Sequence, residues 1–276
     1  MDQGPGNSLP PAPPLLPKGI GDILSAAFTL YKASWAQFLK IVAIIAVPVT
    51  IIQYFLIDQF FTANVTSHVD PATGRVILET SGSGLARAIG GSLLLGLVSV
   101  VIYYVMAGAL TRAAAGSVVG VPIDVDDSYR YAIARIGSIL LIAVLSGLAV
   151  GIGLIFLIIP GIIIAVKLAV SIPALVVEGH RGTQAMSRSW NLTTGHFWHV
   201  LGTVLLAAII TGIVSGILTA PFGSGNWFVR AIAAAIAQVV TAPYTALVSI
   251  LVYLDLRARK ENLTSDGLRA ELAASG

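Results

Sequence analysis

Lys167 is the one charged side chain that falls well inside the apolar stretches of this sequence, Lys40, Arg87 and Arg230 standing within two residues of a run's start, and a charge placed there is costly enough to need a reason. Two readings fit it. Lys167 lies about 9 Å past Gly161 along a helix, so its stem can snorkel to the outer surface and keep the ammonium in water. Alternatively it lines a cavity and meets an anion or a lipid headgroup. Asp58, Glu178 and Asp255 stand only at the ends of apolar runs, which leaves ion-coupled chemistry without an intramembrane acid. His180-Arg181-Gly182 reads as a loop and helix start, and His196 with His199 has no third ligand to make a metal site. The chain has no Cys, which removes disulfides, thiolate catalysis and Fe–S clusters. It has no P-loop and no Gly-x-Ser-x-Gly elbow. The residues therefore give no catalytic site, cofactor or metal, and the chain is expected not to be an enzyme.

The elements that must position these residues are membrane helices. The 276 residues are 56% hydrophobic and 11% charged, with a mean hydropathy of +0.89. A soluble domain carries roughly 25% charged residues. Six runs are long enough for a bilayer, each needing about 20 apolar residues: Phe38–Ile57, Leu85–Leu110, Ile136–Ile159, Ile162–Val177, Val200–Thr219 and Val229–Leu254. Pro160-Gly161 suits a tight reversal between the third and fourth. Pro48, Pro173 and Pro243 lie inside runs, where proline more often kinks a membrane helix than ends it.

Lys and Arg set the orientation. With the N-terminus inside, Lys18, Lys32, Lys40, Arg112, Arg130, Arg135, Arg181, Arg188, Arg257, Arg259, Lys260 and Arg269 are cytoplasmic, while Arg75, Arg87 and Arg230 are outside. The predicted location is the cell (inner) membrane, multi-pass, with both termini cytoplasmic. The predicted organisation is a disordered Pro-rich tail over 1–18, a membrane domain over 19–260, a cytoplasmic tail over 261–276, and one sizeable outer loop, Asp58 to Gly84.

Three amphipathic stretches precede spans. Ile20, Ile23, Leu24, Ala27, Phe28 and Tyr31 share a helical face before the first span, where Tyr31 and Trp35 suit headgroup depth. Asp124 and Asp127 open a second such helix, with Tyr129, Ala132, Ile133 and Ile136 on one face. The third runs from Thr183 to Thr194, with Met186, Trp190 and Asn191 near one face and Gly195 as its stop. The predicted fold is all-α: an integral membrane bundle of about six transmembrane helices with three cytoplasmic amphipathic surface helices in a pseudo-three-fold parallel repeat. Such an axis supplies a central crevice.

Several of these residues carry a resemblance. Gly21-Asp22-Ile23-Leu24, Pro160-Gly161, Pro173-Ala174-Leu175, Arg188-Ser189-Trp190 with Gly195-His196-Phe197-Trp198, and the ending Tyr253-Leu254-Asp255-Leu256-Arg257-Ala258-Arg259-Lys260-Glu261 resemble the membrane domain of glycerophosphoryl diester phosphodiesterase. A His-Arg-Gly triplet opens the catalytic motif of those enzymes, but here no Glu-x-Asp follows it. The resemblance implies a stand-alone membrane module without the catalytic domain.

The expected function is non-catalytic: binding of membrane lipids, or of a protein partner at the cytoplasmic face, in membrane or envelope homeostasis. Arg188, Trp190, Arg257, Arg259 and Lys260 are its candidate interface residues. The alternative is a transporter or channel that passes a small anion or lipid headgroup through the axial crevice, with Lys167 lining it. The basic balance follows from the positive-inside bias and gives no nucleic-acid surface.

Overall fold

The computed structural model describes residues 16–64, 66–79 and 82–274. Residues 1–15 of the expected Pro-rich tail lie outside it. α1 (Ile20–Ala33) leads into α2 (Trp35–Asn64), and α3 (Gly82–Val118) returns. α4 (Val125–Ala134) precedes α5 (Ile136–Phe156), α6 (Ile158–Leu168) and α7 (Ser171–Glu178). α8 (Gly182–Thr193) precedes α9 (Phe197–Thr219) and α10 (Trp227–Glu261), and α11 (Ser265–Ala274) ends the described chain. Within the expected outer loop, β1 (Thr66–Val69) and β2 (Val76–Glu79) pair antiparallel, with Thr66 opposite Glu79 and Val69 opposite Val76. Asp70 closes that hairpin by accepting from Ala72 N and Thr73 Oγ1 at 2.9 and 2.6 Å.

Among the described residues, six helical stretches are long and apolar enough to cross a membrane: Trp35–Gln59, Ile89–Val118, Ile136–Phe156, Ile158–Glu178, Phe197–Phe222 and Trp227–Glu261. They coincide with the six apolar runs, and the chain is a multi-pass helical membrane protein. α10 is the central element, packed on α2, α9, α3 and α1. Phe38, Leu110, Ile139, Leu175 and Tyr253 are fully or almost fully buried. By contrast, Ile155 to Ile159 at the α5–α6 turn are largely exposed. Lipid solvates such side chains as well as protein does, so the bilayer lacks the drive that buries them in water.

The fourth span is interrupted, and proline is the cause. Pro173 has no N–H to give the Ala169 carbonyl one turn back, so the ladder fails there and the helix restarts with Pro173 in its first turn. Hydroxyl groups repair the break. Ser189 Oγ donates to Lys167 O at 2.7 Å and accepts from Val170 N at 3.3 Å. Ser249 of α10 donates to Ala169 O at 3.3 Å, and Ser171 Oγ donates to Leu168 O at 2.8 Å. In hydrocarbon each of these backbone groups would otherwise cost several kcal/mol.

The structure corrects one expectation and adds detail to three. The reversal after α5 falls at Leu157, the one non-helical residue between α5 and α6. Pro160 and Gly161 instead lie in the first turns of α6, where a missing N–H leaves nothing unpaired. The inward face of α4 is Ser128, Tyr131 and Ala132, while Ile133 is 59% exposed. Tyr131 takes that side because its hydroxyl reaches the carbonyls of Leu175 and Val176 on α7. On α8, Ala185, Ser189, Leu192 and Thr193 are buried, whereas Trp190 and Asn191 are exposed. Finally, the segment expected as a C-terminal tail forms α11, with Leu268 and Leu272 buried. Asp124 does cap α4, accepting from Asp126 N and Asp127 N at 2.8 and 3.2 Å.

Gly153 and Gly161 let α5 and α6 touch. A Cβ on Gly153 would stand 2.8 Å from Gly161 Cα. Gly153→Val is therefore expected to destabilise the protein by about 1–3 kcal/mol through overpacking. The thermal unfolding midpoint in detergent checks this against Gly151→Ala, whose Cβ enters open space.

Candidate functional site

Gly179, at φ +69°, ends α7 with a left-handed turn that leaves Glu178 facing α8 and α10. Arg188 Nε donates to both Glu178 oxygens at 2.9 Å, and Arg188 Nη2 meets Glu261 at 2.5 Å. Tyr253 OH donates to Glu178 Oε1 at 2.5 Å, and His180 Nε2 lies 2.8 Å from Oε2. Arg257, buried, pairs with Glu261 at 2.8 Å and holds Glu271 of α11 through both terminal nitrogens, at 2.5 and 3.0 Å. Two guanidiniums thus serve three carboxylates and bind α7, α8, α10 and α11 to one another. Burial alone would lower the Arg188 pKa, but the hydrogen bonds and charge of Glu178, and then Glu261, outweigh it and raise it.

A second cluster ties the start of the described chain to α10. The buried Asp255 accepts from the backbone N–H of Lys18 at 2.6 Å and from Arg259 Nε at 2.8 Å. Arg259 Nη2 donates in turn to the Lys18 carbonyl at 2.7 Å. His199 Nε2 lies 3.0 Å from Asp255 Oδ2 but without the alignment of a hydrogen bond. Neighbouring His196 has its pKa lowered by burial and by the positive charges of Arg259 and Lys260.

The structure therefore divides the sequence candidates. Arg188, Arg257 and Arg259 are joined to internal carboxylates, and Lys260 Nζ donates to the Asn191 carbonyl at 2.5 Å. Trp190 is 44% exposed. Lys167 does not reach the far end of the bundle. Because α8 folds back along α7, Lys167 Nζ meets Thr194 Oγ1 at 2.9 Å and lies 5.6 Å from the Trp190 ring centroid. The ammonium sits beside the C-terminal end of α8, where the helix dipole favours a cation.

The same end of the bundle holds a cationic cavity. Arg130 and Ala134 of α4, Arg135 between α4 and α5, Ser138 of α5 and Arg181 before α8 surround about 720 Å³. Arg135 is held in place, donating to Gly179 O at 3.1 Å with its guanidinium 5.0 Å from the Tyr131 ring centroid. Arg130 and Arg181 are exposed, and among the described residues neither has an ion-pair partner. Asp127, the acid in the lining, lies 3.7 Å from Arg112. Three cations against one carboxylate give the lining a formal net charge of +2. The positive-inside pattern marked these arginines as basic-side residues, but only the fold brings positions 130, 135 and 181 together.

Within the spans, a crevice of about 540 Å³ lies between α3, α7, α9 and α10. Tyr104, Thr211, Ser215, Gln238, Thr245 and Ser249 are in its lining, which among the described residues contains no Lys, Arg, His, Asp or Glu. Lys167 is not part of it.

These features define a multi-pass membrane module with an ion-paired basic end. Residues 136–256 match the family model of the membrane domain of glycerophosphoryl diester phosphodiesterase. This stretch runs from the start of α5 to Leu256 in α10, and so contains Glu178, Arg188, Tyr253 and Asp255. No curated protein and no solved structure matches the chain.

Two outcomes follow. Arg257→Ala strands Glu271 and leaves Glu178 and Glu261 to share Arg188, and is expected to destabilise the protein by roughly 3 kcal/mol, the low end for a buried pair because Glu271 is partly exposed. Limited proteolysis should then cut α11 away. A histidine whose folded pKa lies below its unfolded value, about 6.5, binds fewer protons folded than unfolded. The His196 contribution is thus complete above that value and is lost as pH falls through the lowered folded pKa. The thermal midpoint should drop as pH falls below about 6.5, and less so in His196→Gln.

Proposed function

We propose that this protein is a non-catalytic inner-membrane protein, with its basic end and both termini in the cytoplasm, that binds the phosphate of anionic lipid headgroups. The observation that supports this most directly is the cavity lined by Arg130, Arg135 and Arg181. Guanidinium groups match phosphate oxygens in a planar, bidentate geometry. Among the described residues, Arg130 and Arg181 have no carboxylate partner, in contrast to Arg188, Arg257 and Arg259. Ile133 and Ile136 beside the cavity are 59% and 40% exposed, an apolar rim that suits the headgroup boundary of a bilayer. Anionic lipids of the cytoplasmic leaflet meet such a surface directly. A protein partner at the same face is the second candidate, served by Trp190 and the exposed side of α8. The order of surface helix followed by paired spans supports three related units around an axis normal to the membrane. An anion path through the spans is less favoured, since among the described residues no cation lines the crevice between α3, α7, α9 and α10 and Lys167 lies at α8.

In nanodiscs containing phosphatidylglycerol, native mass spectrometry should find bound anionic lipid on the wild type. Arg130→Ala/Arg181→Ala should lower its retention about tenfold, and Lys260→Ala should leave it unchanged. Equal retention in the wild type and the double variant rejects the reading.

A further inference from the structure

The geometry points to the intramembrane crevice between α3, the α6–α7 break, α9 and α10 as a binding site for the uncharged, hydroxylated headgroup of a membrane lipid. This site is separate from the arginine cavity and does not rest on it. The chemistry of the lining selects the ligand: hydroxyls and one carboxamide, with no charge to meet a phosphate or an ammonium. A volume of about 540 Å³ lies within the range of small-molecule sites.

Unmet polar groups say that the crevice is not simply filled by acyl chains. Among the described residues, the Gln238 carboxamide and the Tyr104 hydroxyl have no hydrogen-bond partner. The Ser146 hydroxyl is buried and also has none. Ser146 lines an adjoining cavity of about 490 Å³ that shares Tyr104, Ala169 and Ile172 with the crevice. In hydrocarbon a polar group without a partner is strongly unfavourable, so Gln238 and Tyr104, which line the crevice, await donors and acceptors from an occupant. Hydroxyl groups supply both, and a carboxamide can be met on its oxygen and its nitrogen at once.

The way in is lateral. α9 packs along α10 and touches α1 and α6, and no comparable packing joins it to α3. Ala208 and Gly212 stand exposed on the α9 side of the crevice, and side chains this small leave an opening towards the bilayer. A lipid can place its headgroup among Gln238, Thr245 and Ser215 while its chains stay in the membrane. A water-soluble polyol has no such route.

The test uses the full chain in phosphatidylcholine nanodiscs, probed with a diacylglycerol that carries a diazirine next to its glycerol. Crosslinks are expected to concentrate on α9 around Thr211–Ser215 and on α10 between Gln238 and Ser249. Unlabelled diacylglycerol should compete, and free glycerol should not. Tyr104→Phe/Gln238→Leu keeps the shape and removes the polar atoms, and should lower labelling about tenfold. Ser215→Ala/Thr245→Val serves as a second variant with the same expected loss should the first fail to fold. Arg130→Ala/Arg181→Ala should label as the wild type does, which separates this site from the headgroup phosphate site. Labelling spread evenly over all six spans overturns the inference, as does undiminished labelling in a folded crevice variant or competition by free glycerol.

Discussion

Hydrocarbon offers a peptide group no hydrogen bond, and the interruption between α6 and α7 brings that constraint to the middle of this fold. Satisfying the freed groups needs hydroxyls from elsewhere in the chain, so Ser189 fixes α8 against the break and Ser249 fixes α10. Once α8 is held there, Arg188 faces Glu178, and Lys167 finds Thr194 in place of open water. The ion-paired cluster is thus a consequence of how a broken span is repaired. A continuous fourth helix would leave α8 free to lie elsewhere on the membrane surface.

The basic end shows two uses of one residue type. Arg188, Arg257 and Arg259 carry bonds to carboxylates and join helices, where removal of one partner strands the others. The side chains of Arg130 and Arg181 line the cavity and, among the described residues, pair with no carboxylate. Position relative to Glu178 and Asp255 decides which role an arginine takes. Residue type and exposure to the cytoplasmic side do not distinguish them.

What the sequence makes legible is what local pattern encodes. The six spans follow from runs of apolar residues, and Asp124 as a cap follows from its place before the second surface helix. The interior contacts are less readable because their partners are remote. Arg257 meets Glu271 fourteen residues on, across a turn, and Ser249 reaches a carbonyl eighty positions away. Pro173 was visible as a perturbation, but whether it kinks or interrupts depends on whether hydroxyls lie near enough to repair the gap. α11 escaped notice because Leu268 and Leu272 alone give a weak stripe in a ten-residue helix. The side of α4 that packs on the protein is less legible for a related reason: Tyr131 turns inward to meet carbonyls on α7, a demand that the periodicity of α4 does not contain.

The joining of Lys18 to Asp255 and Arg259 spans 237 positions of sequence, and this sets an order for assembly. As the chain emerges, α1 reaches the membrane long before the carboxylate that will hold it has been translated. Until then α1 lacks this fastening, and α2 and α3, which pack on each other, wait without the α10 surface that both also meet. The last span therefore acts as a keystone, inserted after its neighbours and bringing their fastenings with it. A nascent chain halted before Asp255 lacks these fastenings, and the surfaces of α2 and α3 that α10 covers stay open to other contacts.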